Sequence, residues 1–377
     1  MLEQADLAAY TGQFVWLELN FDEAQNHEFL AKYGAIGTPT FYVVDPEDGK
    51  VTASQVGAMS LSEFQEFLHR GASFVATKTR SPADAALTRA DALLAQQPEK
   101  AVDAYRQALE FAPANWPRRG VAESSLVTAM QNSGLYEQCA DTAATEAASM
   151  TRDANFARTM VAGMWCLITP APTPWTSAAA QRLEPLAKEA LSLSSTVRDH
   201  RDELYRTLMY LSLARNDKAT ASEWGDRWLK ELDAIRPVND EQRSAVDIAR
   251  VELVQTFGDP KRVLPALLAS EQAMQRNWNA SLRVAQMQAT ADNYEGAITA
   301  CDRGLARTPG PAGRSWLLRV KADALFAKGE NQAGREALEE ALKTAEAIPN
   351  PQTRDNNLRA IRKALGELGP LKKNSKP

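Results

Sequence analysis

Few side chains in this sequence have the type and spacing that chemistry requires. The cysteines and histidines are Cys139, Cys166, Cys301, His27, His69 and His200. No two cysteines form a CxxC pair, so we predict that all three are small apolar side chains in helix cores. No histidine has a second histidine or cysteine at the spacing of metal ligands, so we predict no metal site and no cofactor.

The sequence motifs of catalysis are missing as well. The chain contains no glycine-rich phosphate loop, no HExxH pair and no nucleophile elbow. Acidic pairs are common in its helical part, where they are typical of solvated helix faces. We therefore assign no catalytic residue and expect a binding protein.

Composition and charge limit the partners that we expect. Hydrophobic residues make up 44% of the 377 residues and the net charge is −5, which does not favour nucleic acid as the main partner. No apolar run approaches the roughly 20 residues of a membrane span, so we expect no membrane partner. The N-terminus lacks the basic and apolar regions of a signal peptide, which favours the cytoplasm. A signal upstream of Met1 would instead direct the protein to the periplasm or outside the cell.

Charge and composition divide the chain into parts of different character. Residues 1–74 contain eleven acidic and three basic residues, a balance of −8, so the remainder carries +3. Alanine becomes abundant and strand signals vanish after this part. The sequence predicts a domain over 1–74, a linker over 75–80, a helical domain over 81–368 and a disordered tail over 369–377.

The first part has the pattern of a β-α-β-β-α unit. Ser60 and Glu63 have the spacing of a capping box at the start of its last helix. Apolar runs indicate strands, and a turn between two of them indicates a hairpin. We predict strands at 14–20, 40–45 (buried) and 50–57, and helices at 22–34 and 60–71.

Pro39 stands at the first position of an apolar strand. There it removes one amide donor without disturbing the rest of the ladder. A cis Thr38–Pro39 bond would turn the Thr38 peptide group outward, where it could pair with an extended segment of another protein. The alternative is a trans proline that only begins the strand.

Glu18 lies on the same predicted strand face as Phe14 and Trp16. If this face is buried, desolvation would raise the pKa of Glu18, and its carboxyl group could aid a proton transfer. The alternative is a glutamate at a strand end that reaches solvent.

The order and spacing of these features resemble the second half of a thioredoxin domain. The resemblance rests on the strand ending in LNFD, the segment KYGAIGTPT, the DG hairpin, Gly57 and the LSEF helix start. It implies a cis Pro39 that contacts substrate peptides together with Thr38. It also implies a CxxC dithiol, but no cysteine precedes Cys139. We therefore expect Met1 to be an internal methionine, with the dithiol and one strand upstream of it.

The helical part resembles the tetratricopeptide repeat (TPR), in which small residues let two antiparallel helices approach closely. The matching residues, at offsets 0, 4, 7 and 12, are Ala101, Tyr105, Ala108 and Pro113, and Ala297, Cys301, Gly304 and Pro309. We interpret the tryptophans of this part, Trp316 among them, as core side chains between helix pairs. The alternative is a helical bundle without repeats.

The predicted fold is α/β plus all-α: a truncated thioredoxin-like β-α-β-β-α unit followed by an α-helical TPR-like solenoid. Its expected function is the binding of proteins or peptides through the solenoid and the Thr38–Pro39 edge. For a longer form, the resemblance implies a thiol-disulfide oxidoreductase or a redox-linked co-chaperone. The alternative is a purely structural TPR scaffold with a vestigial thioredoxin-like segment.

Overall fold

The computed structural model describes residues 5–20, 23–34, 39–76, 81–169 and 178–367. Its first part contains two short 3-10 helices, one antiparallel strand pair and two α-helices. In chain order these are the 3-10 helices Ala5–Tyr10 and Ala24–Asn26, α1 (His27–Tyr33), β1 (Thr40–Val44), β2 (Val51–Val56) and α2 (Leu61–Ala76). We call these residues, 5–76, the α/β segment.

The rest of the described chain is helical. Its helices are α3 (Pro82–Leu93), α4 (Pro98–Phe111), α5 (Arg119–Asn132), α6 (Tyr136–Glu146), α7 (Ala154–Ile168), α8 (Ala178–Ser192), α9 (Arg198–Ala214), α10 (Lys218–Ala234), α11 (Asp240–Phe257), α12 (Pro260–Ala273), α13 (Trp278–Thr290), α14 (Tyr294–Ala306), α15 (Pro311–Ala327), α16 (Asn331–Ala345) and α17 (Pro351–Glu367).

The chain forms two compact units that divide within α10. The first comprises Met1–Leu19 and His27–Trp224, and the second comprises Asn20–Asn26 and Gly225–Pro377. The first unit therefore contains most of the α/β segment together with the first helices, and the second contains α11 to α17.

The strand pair forms as the turn chemistry predicts. Thr40 lies opposite Val56, and Val43 lies opposite Ala53, in an antiparallel register. The turn closes through the amide of Asp45, which donates to the carbonyl of Lys50 at 2.8 Å. The prediction of a hairpin is confirmed, but the first strand is only half-buried, because Val43 alone of its five residues is fully covered.

The predicted strand at 14–20 is wrong. These residues lie in no helix or strand, and the Val15 and Leu17 side chains are 88% and 69% exposed. A strand is stabilised by the ladder that it forms with a neighbour, and within the described residues β1 and β2 pair only with each other. Apolar sequence alone therefore does not make this segment a strand.

The last helix of the α/β segment begins where the sequence predicts. The Ser60 amide donates to the Glu63 carboxylate at 2.7 Å, and the Glu63 amide donates to the Ser60 hydroxyl at 3.3 Å, which confirms the capping box. The helix continues to Ala76, so it includes the first two residues of the predicted linker; residues 77–80 lie outside the described part. Its buried side chains include Phe64, at 2% exposure, and these hold the core of the segment.

Many successive helices after residue 80 pack as pairs, among them α3 with α4, α13 with α14 and α15 with α16. The small residues of the predicted offsets are fully covered: Ala101, Ala108, Ala297 and Cys301 have no exposed surface. At Gly304 an added Cβ would lie 2.7 Å from the end of the Leu317 side chain of the next pair, so a larger residue would displace that side chain. The described chain is thus mostly helical and solenoid-like, with one two-stranded sheet, and the helices pack in a TPR-like manner.

Consecutive pairs place their first helices next to one another. In the first unit α5 contacts α7 and α7 contacts α9, and in the second unit α11, α13, α15 and α17 contact in succession. We call each row of first helices the first-helix layer of its unit. In a solenoid such a layer forms one continuous face.

Two cysteines that the sequence places far apart are joined. Cys139 of α6 and Cys166 of α7 form a disulfide, with Cα atoms 6.1 Å apart, so the prediction of three free apolar cysteines is wrong for these two. Pairing of the two helices, not sequence spacing, brings them together. Cys301 is a free buried thiol, and burial raises its pKa to about 12.

Candidate protein-binding surfaces

The Thr38–Pro39 edge is described only in part. The carbonyl of Pro39 accepts a hydrogen bond from the Gly57 amide at 2.9 Å, so Pro39 directly precedes the hairpin ladder. Thr38 lies outside the described residues. The peptide-binding role of Thr38 and Pro39 therefore stays a prediction.

Glu18 lies on the surface of the α/β segment and is exposed. The predicted role of Glu18 in proton transfer requires a buried carboxyl group, and the Glu18 side chain is exposed. Its neighbour Trp16, by contrast, contacts the ring of Phe64 at 6.1 Å between centroids. The structure brings no cysteine of the described chain into the α/β segment.

A buried polar cluster joins the α/β segment to α3 and α4. The Arg70 guanidinium donates to Asp91 at 2.8 Å, and the Tyr105 hydroxyl donates to the other carboxylate oxygen at 2.8 Å. The Ser54 hydroxyl of β2 donates to the Asp91 carbonyl at 2.8 Å. Burial raises the pKa of Asp91, and the positive charge of Arg70 opposes that rise. The carboxylate therefore depends on its partners to stay charged in the core.

A second buried ion pair joins the α/β segment to α7. The Arg158 guanidinium donates to Glu63 at 2.8 Å and to the carbonyl of Ala58 at 3.3 Å. Burial lowers the pKa of Arg158, and the Glu63 carboxylate opposes this shift. Val121 of α5 and Phe67 of α2 line the same small cleft as Arg158.

These contacts join the α/β segment to first helices of the first unit. The segment pairs with α3 at Asp91 and with α7 at Arg158, and it lines one small cleft together with Val121 of α5. Because the pairing groups are charged and largely buried, separation of the segment from the helices would leave unpaired charges.

His200 of α9 is buried beside this cluster and is not a ligand candidate. Burial is the main cause that lowers its pKa to about 3, and the charge of Arg158 adds to the effect. The imidazole is therefore neutral at physiological pH. Within the described residues, no group of three or more histidine, cysteine, aspartate or glutamate side chains could hold a metal ion.

The first-helix layer of the second unit carries an exposed aromatic side chain. Trp316 of α15 is 40% exposed, although the sequence predicts a core side chain. Its ring lies 6.4 Å from that of Trp278 of α13, and its indole NH donates to Asn357 of α17 at 3.0 Å. An added Cβ at Gly313 would lie 2.6 Å from the Trp278 ring, so glycine allows this approach.

Other tryptophans follow the prediction. Trp228 and Trp224 are 1% and 9% exposed and are core side chains. Buried and exposed tryptophans alike occur in helices with small neighbouring residues, so the sequence contains no signal that distinguishes them. Only the packing of α13, α15 and α17 shows which one faces outward.

No helix in the described ranges is both long and apolar enough to cross a bilayer.

Comparisons with known proteins give one structural neighbour to report. No protein-family model and no curated protein matches the chain. Among solved structures, a tetratricopeptide repeat protein from Parabacteroides merdae ATCC 43184 is similar over 75% of this chain and 100% of its own, with 11% identity and a TM-score of 0.44. The assignment to the class of TPR-like helical-repeat proteins rests on the helix pairs and their buried small residues.

Proposed function

We propose that the chain is a protein-binding scaffold and that its partner binds the first-helix layer of the second unit around Trp316. The observation that carries the proposal is the large aromatic side chain that this layer presents to solvent. Trp316 is 40% exposed while helices on both sides hold it in place. Tryptophan is enriched among the side chains that contribute most of the binding energy of protein interfaces.

The first unit supports this choice because the α/β segment already contacts its first-helix layer. Its first helices α3 and α7 are joined to the α/β segment by ion pairs whose charged groups are largely buried. A partner that displaced the segment would leave these charges unpaired. In the second unit, by contrast, Trp316 of the first-helix layer is 40% exposed.

The experiment compares two exposed aromatic side chains. Trp316→Ala removes the proposed anchor, and Phe111→Ala removes a 52% exposed side chain from α4, a second helix. Immobilised full-length chains capture proteins from cells that contain the native protein, and quantitative mass spectrometry compares recovery. We expect Trp316→Ala to lose its specific partners by about tenfold or more and Phe111→Ala to retain them. Equal recovery by both variants, with melting temperatures close to wild type, would contradict the proposal.

The thioredoxin-like origin of residues 1–74 is part of the proposal. Its support is the order α1, β1, β2 and α2 with Pro39 directly before the hairpin. The given chain has no cysteine before Cys139, so we assign no redox step to these residues. An in-frame CxxC in the genomic sequence upstream of Met1 would revive the oxidoreductase or co-chaperone role that the resemblance implies.

The second candidate function is a purely structural scaffold, with the α/β segment as a vestigial part of the first unit. The buried pairs Arg70–Asp91 and Glu63–Arg158 favour it, because they fix the segment as a part of the core. The two functions differ in the behaviour of Trp316→Ala. A structural scaffold would retain every partner in that variant.

We infer an oxidising compartment from the disulfide. Cys139 and Cys166 are paired between two buried helices, and such pairs persist in secreted and periplasmic proteins more than in the cytosol. Of the compartments that the sequence leaves open, the periplasm or the exterior therefore fits better. Acid quenching of intact cells, followed by alkylation under denaturing conditions without a reducing agent, tests this: we expect one modified cysteine, Cys301, and three would contradict it.

A further inference from the structure

Residues 14–19 form a largely exposed segment whose backbone has no hydrogen-bond partner in the described part of the chain. They follow the first 3-10 helix and lie in no helix or strand. None of their backbone groups makes a hydrogen bond to another described residue. We call residues 14–19 the open segment.

One side of the open segment is anchored and the other is free. Phe14 and Trp16 lie 5.6 Å apart between ring centroids, and Trp16 lies 6.1 Å from the core residue Phe64. Val15 and Leu17, between and after them, are 88% and 69% exposed. This alternation has the period of an extended strand, so the segment already presents a row of apolar side chains and open backbone groups.

Unpaired backbone beside exposed apolar side chains is the geometry to which a further strand adds. Solvent contact at Val15 and Leu17 is unfavourable, and natural proteins normally protect such segments with charge, proline or a cover. Here the one charged residue of the segment, Glu18, alternates to the side of Phe14 and Trp16, so the row of Val15 and Leu17 carries no charge, and no other described element covers it.

The charge of the α/β segment indicates which charge a partner's strand should carry. Residues 1–74 carry eleven acidic and three basic side chains, and Glu18 and Glu28 of the first unit are exposed. A second copy of the chain would bring two acidic surfaces together, which is unfavourable. A partner segment with basic residues at its ends would instead complement them.

We propose that the open segment binds an extended apolar segment of a partner protein, flanked by lysine or arginine, through strand addition. The backbone pairs with residues 14–19, the apolar side chains cover Val15 and Leu17, and the basic ends complement the acidic charge of the α/β segment, including Glu18 on the other side of the pair. The site lies outside the helical repeats, so it goes beyond the function proposed above and does not depend on Trp316.

A designed peptide tests the proposal without knowledge of the partner. The probe is the labelled peptide KKVTVTVTKK, and its controls are EEVTVTVTEE and a KKVTVTVTKK peptide with N-methylated central amides. Fluorescence anisotropy with the full-length chain measures each dissociation constant. We expect the basic peptide to bind at least about tenfold more tightly than either control, and to weaken as salt is added.

Two variants locate the binding. Val15→Asp with Leu17→Asp removes the apolar row, and Val238→Asp changes an 82% exposed side chain in the second unit. The added negative charge would by itself favour the basic peptide, so a loss of at least about tenfold in affinity reports the lost apolar contacts. We expect that loss in the double variant only.

Three results would overturn the proposal. They are equal affinity for the basic and acidic peptides, unchanged affinity in the double variant, and the absence of saturable binding. A concentration-dependent dimer that the same double substitution abolishes would assign the open segment to a second copy instead. Because Val15 and Leu17 are exposed, both variants should melt within a few degrees of the wild type, which keeps the comparison valid.

Discussion

At the scale of single residues, Asp91 contributes most to the contact between the α/β segment and the helices. Its carboxylate accepts hydrogen bonds from Arg70 and Tyr105, and its carbonyl accepts one from Ser54. Three elements, α2, α4 and β2, therefore meet at one side chain of α3. An aspartate in an alanine-rich helix gives no sign of this role in the sequence, because its partners lie 14 to 37 residues away.

We expect Asp91→Asn to destabilise the protein by about 3–5 kcal/mol, because it leaves the Arg70 charge buried without its counter-ion. Urea unfolding measures the change. The matched control is Asp103→Asn on α4, whose side chain is 74% exposed and lies 3.7 Å from Arg106. That substitution should change the free energy of unfolding by less than about 0.5 kcal/mol. Equal effects of the two substitutions would show that the Asp91 cluster does not contribute to stability.

A pH-dependent contribution is expected at Glu123 of α5. Burial is the main cause that raises the pKa of this carboxyl group to about 7, and the charge of Glu146 adds to it. Its pKa in the folded state is higher than in the unfolded state, so the folded state binds the proton more tightly. The stabilisation of the folded state by protonated Glu123 is fully present below the unfolded pKa of about 4.5. It is lost as the pH rises through the folded pKa of about 7.

We therefore expect Glu123→Gln to be more stable than the wild type at pH 8, by about 1–3 kcal/mol, with a smaller difference at pH 5. Urea unfolding at the two pH values measures this dependence. Glu137→Gln, at an exposed position of α6, serves as the control and should show no such trend. A difference that stays constant between pH 5 and pH 8 would disprove the assignment to Glu123.

At the scale of elements, the disulfide joins α6 and α7 across 27 residues of sequence. A closed loop of this length is expected to stabilise the fold by about 3 kcal/mol through the entropy of the unfolded chain. The purified, denatured but unreduced protein should titrate with one thiol, Cys301, and the reduced protein with three. Three thiols without reduction would show that the pair does not form.

Removal of the disulfide gives a second observable at the same scale. The double substitution Cys139→Ser with Cys166→Ser should lower the melting temperature. Cys301→Ser serves as the control, because it changes a buried cysteine outside the pair. A reducing agent should lower the melting temperature of the wild type and leave that of the double variant unchanged. Equal sensitivity of both proteins to the reducing agent would contradict the pairing.

The sequence predicts elements well where the signal is local. The capping box at Ser60 and Glu63 fixes the start of α2, and the turn before Lys50 fixes the hairpin. The prediction of a strand at 14–20 is wrong because a strand needs a neighbouring strand to pair with, and the composition of the segment does not show whether one is present. The sequence also does not predict the disulfide or the exposure of Trp316, for the same physical reason. Both depend on which helices become neighbours in space.

At the scale of the whole molecule, the helical repeats could be predicted from spaced small residues, and the attachment of the α/β segment could not. Ala101, Ala108 and Cys301 are fully covered where the offsets place them. The charge difference between the two parts of the chain, by contrast, predicts separate domains joined by a linker. The boundaries at 1–74 and 81–368 remain predictions, and two largely buried ion pairs, Arg70–Asp91 and Arg158–Glu63, connect residues of the two parts.

The central claim is that β2 and α2 of the α/β segment fold as one body with α3 and α4. Hydrogen exchange measured by mass spectrometry on wild type and Asp91→Asn tests it most directly. We predict that the substitution lowers the protection of β2 and α2 together with that of α3 and α4, by the same free energy, while α15 and α16 keep theirs. Loss of protection in α3 and α4 alone, with β2 and α2 as protected as in the wild type, would contradict the claim.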